Sequence, residues 1–247
     1  MSAKDIQRPT AALRRKAVRI DRALEAYYGV PDRRRLDPLS ELVLTILSQN
    51  TSDINSGRAF ERLRARFPTW EAVRDAPLEA IIEAIRPAGL AVQKAPRIQR
   101  ILQRISAERG ALSLDFLADW PLEAAKAWLR RLDGVGPKTA AIVLLFSLNR
   151  PAFPVDTHVH RVGTRLGLIP EGMSAEAAHD WMEALVPPER YLPFHLLLIR
   201  HGREICEAPH PRCEVCPVRR MCAYYRRRSR PLNPAGSGGR RSRPAGV

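Results

Sequence analysis

No apolar run in the 247-residue chain approaches the length needed to cross a bilayer. The N-terminal twenty residues scatter Lys4, Arg8, Arg14, Arg15, Lys16 and Arg19 without the continuous apolar stretch of a signal peptide. Neither a membrane anchor nor an export signal is therefore expected. Cysteine is scarce as well: four residues, all between Cys206 and Cys222, too clustered to staple distant loops of a secreted protein. That distribution places the chain in a reducing cytoplasm. Sustained strand-like alternation is hard to find, and acidic residues are outnumbered, 26 against 41 lysines and arginines. A formal charge of +15 points to a polyanionic partner such as nucleic acid, although a surplus of charge alone also serves solubility.

What is present is helical periodicity. Leu42, Val43, Ile46 and Leu47 mark one apolar face, Phe60, Leu63 and Phe67 another, and Leu78, Ile81, Ile82 and Ile85 a third. Pro38, Pro68, Pro77, Pro87, Pro96, Pro121, Pro151 and Pro154 fall between such segments and punctuate a series of short helices. The expected fold is all-α in two domains with a site between them. A helical domain runs over 38–150; a second domain combines the N-terminal helix, within 1–37, with residues 151–225. From Arg226 to Val247 the chain holds seven arginines, no acid and a Gly-Ser-Gly-Gly stretch, so a disordered basic tail is expected there. Such a tail would act as a tethered polycation.

The stretch from Leu132 to Ala140, LDGVGPKTA, lies between a helical segment (122–131) and an apolar one (140–148). Gly134 and Gly136 permit a tight turn and expose amides at a helix N-terminus, where a phosphate can be held; Pro137 suits a first helical turn. An ordinary helical hairpin would use the same residues. The pattern L-x-G-V-G-x-K-T-A followed by V-D-T-H-V-x-R-V, however, resembles the helix-hairpin-helix and Gly/Pro-rich-loop-Asp signature of the endonuclease III superfamily. The resemblance runs from about Pro38 to Cys222. It implies that Lys138 is the nucleophile, that Asp156 is its catalytic partner, and that Gly134, Gly136 and Thr139 belong to the DNA-holding hairpin. Asp133 and Pro137 depart from the family's usual residues, inside the hairpin rather than at the catalytic pair. Thr69 to Ala76 and Phe153 to Val159 are also similar to the glycosylase domain of plant 5-methylcytosine glycosylases.

The chemistry agrees with this reading. Displacing a base from C1′ of deoxyribose calls for a nucleophile and for a negative charge near the developing cation. An amine at a helix start is favoured in its neutral, attacking form by the dipole and by partial burial. Asp156 follows a proline-stiffened approach and precedes an expected helix over 157–166, so it is also a candidate N-cap. His158 beside it reads as structural.

Cys206, Cys213, Cys216 and Cys222 form C-x6-C-x2-C-x5-C, a metal-site pattern whose spacing fits zinc or an iron-sulfur centre. The superfamily resemblance implies a 4Fe-4S cluster, with Arg212, Arg219 and Arg220 setting a basic loop against the phosphate backbone. A base inside a duplex cannot reach Lys138, so the nucleotide must be extruded and the gap filled. Gln49 or Asn50, in the position of the family's S-x-Q-x-T-D loop, is the candidate plug. Leu90, in Pro-Ala-Gly-Leu, is the candidate second wedge or else a core residue. Asp53 caps the next helix or orders the pocket.

The resulting expectation is a monomeric, nucleoid-associated enzyme acting on double-stranded DNA that carries damaged bases or abasic sites. It would be a bifunctional N-glycosylase and abasic-site lyase for damaged, above all oxidised, pyrimidines. Alternatives are a glycosylase for mismatched, deaminated or methylated pyrimidines, and a non-catalytic helix-hairpin-helix DNA-binding protein.

Overall fold

The computed structural model describes residues 8–229, and among these no strand occurs. Helices begin where short polar side chains can accept from free first-turn amides. Thr10 caps α1 (Ala11–Tyr28), Asp37 caps α2 (Pro38–Ser48), Ser52 caps α3 (Asp53–Arg66) and Thr69 caps α4 (Trp70–Asp75). Helix α5 (Leu78–Ile85) follows Pro77, and α6 (Ala91–Arg109) follows a 3-10 turn at Arg86–Ala88. Pro96 lies within α6 and does not separate two helices. Its missing N–H deprives only the carbonyl of Val92, a residue at the exposed helix start, so the break that a mid-helix proline would cause is avoided.

The periodic faces pack as one core: Leu42, Val43, Ile46, Leu47, Leu63, Ile81 and Ile85 are buried together with Ile98, Leu102, Leu129 and Leu144. Helix α7 (Leu122–Arg130) and α8 (Pro137–Ile142) complete it. The apolar segment after the hairpin is not one α-helix to residue 148. A π-helical turn, Val143–Ser147, follows α8. Its wider turn shifts the side-chain register, so Val143 and Leu144 stay in the first core while Leu145 enters a second.

That second core joins Ile20 and Leu24 of α1 to α9 (Thr157–Leu166), α10 (Ala177–Leu185) and α11 (Tyr191–Glu204). The described chain closes with α12 (Ala223–Arg228). Arg226 to Arg228, assigned above to the tail, are thus helical, because Tyr224 and Tyr225 pack on the second core and Arg227 pairs with Glu171. The remaining tail, 230–247, lies outside the described residues. No helix among the described residues is long and apolar enough to cross a membrane.

Candidate active site and nucleic-acid interface

The hairpin between α7 and α8 turns at Gly134, whose φ of +70° lies in the left-handed region; a Cβ there would also stand 2.5 Å from the Arg97 side chain. Gly136 differs from expectation. Its φ of −91° and ψ of −176° are open to any residue, and a Cβ would meet no atom within 4 Å. Its role in the turn is therefore not conformational. Pro137 occupies the first helical position. The Thr139 side chain is buried, because that face of α8 packs towards the first core, which leaves its backbone amide rather than its hydroxyl as the group available in the first turn. Asp133 is held by Arg100 at 2.5 Å.

Beyond this turn, Lys138 and Asp156 line one cleft of about 300 Å³ between the two cores. The approach to α9 brings Asp156 there, and its Oδ1 accepts from the Val159 amide at 2.7 Å. The cap and the cleft position coexist, since the bond that starts α9 also fixes the carboxylate. His195 of α11 forms part of the wall; its Nδ1 lies 2.9 Å from the Pro154 carbonyl. Burial pushes its pKa down to about 4, Asp156 opposes that fall, and Lys138 and Arg33 add to it. At neutral pH the ring is uncharged, with Nδ1–H donating to Pro154 and the Nε2 lone pair free of a proton. His158 sets Nδ1 3.1 Å from an Arg161 nitrogen, with its pKa lowered by burial.

Four wall residues carry little signal in the sequence. Arg33 comes from the connector between α1 and α2; its Nη2 donates to Glu41 Oε1 at 2.8 Å and its guanidinium lies 4.2 Å from the centre of the Phe146 ring. Glu41 stands 1% exposed within the apolar run of α2, an anomaly that could have marked it. Arg203 of α11 makes two bonds to Asp53, at 2.6 and 3.1 Å, across the mouth of the cleft. Ser52 caps α3, which leaves Asp53 free for that pair.

The three candidate DNA-distorting residues lie on two loops that Lys94 ties together. Asn50 and Leu90 are exposed non-glycine residues with positive φ, 54° and 50°, strain of the kind that loop tips retain when surrounding bonds over-determine them. Leu90 is 48% exposed, so it is not a core residue. Gln49 instead is tethered: its amide donates to the Gly134 carbonyl at 3.3 Å and accepts from Arg97 at 3.1 Å. Between the two tips, buried Lys94 donates to Leu47 O at 2.7 Å and Ala88 O at 2.9 Å, tying the loops to one spacing.

All four cysteines are free thiols lining a single apolar pocket. Burial raises the pKa of Cys206 and Cys213 and pushes that of Cys216 up to about 11. Arg165 approaches Cys206 Sγ at 3.5 Å, and His201 approaches Cys216 Sγ at the same distance while bonding Tyr28. Among the described residues, no three His, Cys, Asp or Glu side chains converge as ligands of one ion. An all-thiol set around a shared apolar pocket fits a multi-iron cluster, whose ligands stand farther apart than those of a single ion. Arg212 and Arg219 donate to the carbonyls of Glu204 and Glu214, so these side chains brace the loop.

Residues 43–188 match the family model of the HhH-GPD superfamily base excision DNA repair proteins. An Arabidopsis thaliana protein named "Putative DNA glycosylase" is 42% identical over 168 residues, covering 68% of this chain and 57% of that one. Endonuclease III of Thermotoga maritima is 34% identical over 197 residues, covering 80% of this chain and 88% of its own. Among solved structures, a trapped endonuclease III–DNA covalent intermediate superposes with a TM-score of 0.76 at 26% identity, covering 90% of this chain and 100% of that one.

Proposed function

Given that the chain belongs to the HhH-GPD superfamily of base excision DNA repair proteins, and is a DNA glycosylase/lyase of the endonuclease III type, we propose that Lys138 and Asp156 carry a bifunctional reaction on damaged pyrimidines in duplex DNA. The observation that carries this reading is the meeting of the two side chains in one cleft between the cores. The Lys138 amine forms a bond to C1′ as the glycosidic bond breaks and the base departs with its electron pair. The Asp156 carboxylate stabilises the positive charge that develops on the sugar. The aminal opens to a Schiff base as the C1′–O4′ bond breaks, the C2′ proton passes to a base, and the C3′–O bond breaks, releasing the downstream strand with a 5′ phosphate.

Extrusion of the base would use the exposed tips at Asn50 and Leu90, with the free first-turn amides of α8 turned to a phosphate. Gln49, bonded to the hairpin, positions that loop. Cys206, Cys213, Cys216 and Cys222 would hold a 4Fe-4S cluster, which supplies a structural centre for the loop and no electrons to the cleavage.

The deciding experiment is borohydride trapping on a panel of lesion duplexes. The wild-type protein is expected to form a covalent adduct and Lys138→Gln none, while lesion binding persists. Robust trapping by the variant would overturn the assignment of the nucleophile.

A further inference from the structure

Glu41 carries a cost that the chemistry above does not explain. It is 1% exposed, its Oε1 is engaged by Arg33, and its Oε2 is buried with no hydrogen-bond partner. A buried carboxylate oxygen left unpaired is more expensive than a neutral orphan, and such groups in native proteins call for a specific explanation. Glu41 lines the same cleft as Lys138 and Asp156, and so do Arg33 and Phe146. The three form one unit, with the guanidinium lying against the aromatic ring and one of its nitrogens on the carboxylate. The π-helical turn at 143–147 places Phe146 in this position, outside the first core that holds Val143 and Leu144.

We infer that Glu41 and Arg33 read the edge of the extruded base, a turn of the Glu41 carboxylate bringing Oε2 to accept a ring N–H while Arg33 donates to the carbonyl beside it. This rests on the cleft being the base pocket, as proposed above. A carboxylate acceptor next to a guanidinium donor complements an N–H flanked by C=O, the imide edge of a uracil-like ring. A cytosine-like ring turned the same way sets the N3 lone pair against the carboxylate. Arg33 keeps donors beyond the one bound to Glu41, because guanidinium presents five. Loss of the N–H leaves Oε2 unpaired again, and sites built to bond a polar group reject analogues that lack it strongly.

The test uses three duplexes, carrying 5,6-dihydrouracil, its N3-methyl derivative, and an abasic site. Single-turnover rates are measured for the wild-type protein, Glu41→Gln and Arg33→Met. Wild type is expected to process dihydrouracil at least about tenfold faster than the N3-methyl base. Glu41→Gln should erase most of that ratio, while its rate at the abasic site, where no base enters the pocket, falls less than about threefold. Arg33→Met should slow dihydrouracil more than the abasic substrate. Equal losses on all three duplexes would mean that the pair merely braces the α1–α2 connector, and an unchanged ratio would mean that it reads nothing; either result overturns the inference. Failure of the wild-type protein to cleave the abasic duplex counts against the lysine mechanism instead. Binding then replaces cleavage as the readout, and the preference for dihydrouracil over its N3-methyl form must still depend on Glu41.

Discussion

The cleft and the cysteine loop both form where helices stop, yet they are held in different ways. Lys138 projects from a helix whose next residues, Thr139 to Ile142, are buried, and Asp156 is fixed by its own cap bond. Each of these two side chains is thus attached to a finished core. The loop from Ile205 to Cys222 contains only two three-residue 3-10 turns, and its buried side chains are three of the thiols, Cys206, Cys213 and Cys222, with Ile205 and Val218. Its carbonyls are tied by arginines that radiate from α9 and from the loop itself. With so little apolar burial of its own, the loop would depend on the proposed cluster, whereas the cleft depends on packing that would exist without any ligand.

The largest expected effect tests the cleft side of this contrast. Asn caps a helix about as well as Asp, so Asp156→Asn should change stability by less than about 1 kcal/mol while single-turnover cleavage falls by about a hundredfold to a thousandfold. A thermal melt beside the rate measurement separates the two roles, and an unchanged rate would leave only the cap. On the loop side, Cys213→Ala should abolish the yellow-brown absorption expected of an iron-sulfur protein. Proteolysis between Ile205 and Cys222 should rise by about a hundredfold while amide exchange in the first core stays slow. Equal loss of protection in both regions would erase the distinction.

The pH dependence of the cleft comes next. Burial lowers the pKa of His195 to about 4, so the unfolded chain, with an ordinary histidine near 6.5, binds the extra proton first as pH falls. Its contribution to stability is complete above about pH 6.5 and is lost between there and about pH 4, amounting to about 2 kcal/mol by pH 5. Urea melts of the wild-type protein and His195→Gln should therefore diverge in slope below pH 6.5; parallel curves would show that His195 does not titrate this way. The smallest effect is expected at Lys94. Its ammonium is costly to bury but satisfies two carbonyls, so Lys94→Met should cost about 1 to 2 kcal/mol. It should also loosen the spacing of the Asn50 and Leu90 tips, read as weaker extrusion of a fluorescent base analogue in a lesion duplex. Normal extrusion would limit Lys94 to a structural tie.

Local pattern alone determined much of this protein. The apolar faces of α2, α3 and α5, the glycine turn at 134, the proline at the start of α8, and the Asp156 cap are each decided by groups within about one helical turn. Periodicity and first-turn hydrogen bonding operate on that scale. Lys138, Asp156 and the four cysteines stand out in the sequence through the resemblance to the superfamily signature and the cysteine spacing, and the structure brings the first two to one cleft and the thiols to one pocket. Tertiary structure alone decided which face of α8 is buried, and so put the Thr139 side chain inside. It showed that Gly136 needs no special angle, and it separated tethered Gln49 from exposed Asn50. It also brought Arg33, Glu41, Phe146 and His195 to one wall. Arg33 and Glu41 lie eight residues apart and are joined by one bond, but Phe146 and His195 are far from them in the chain and on other elements. Their convergence arises only when the connector after α1, the helix α2, the π-turn and α11 dock as two cores pack against each other, burying a charged side chain that the sequence shows only as a glutamate in an apolar run.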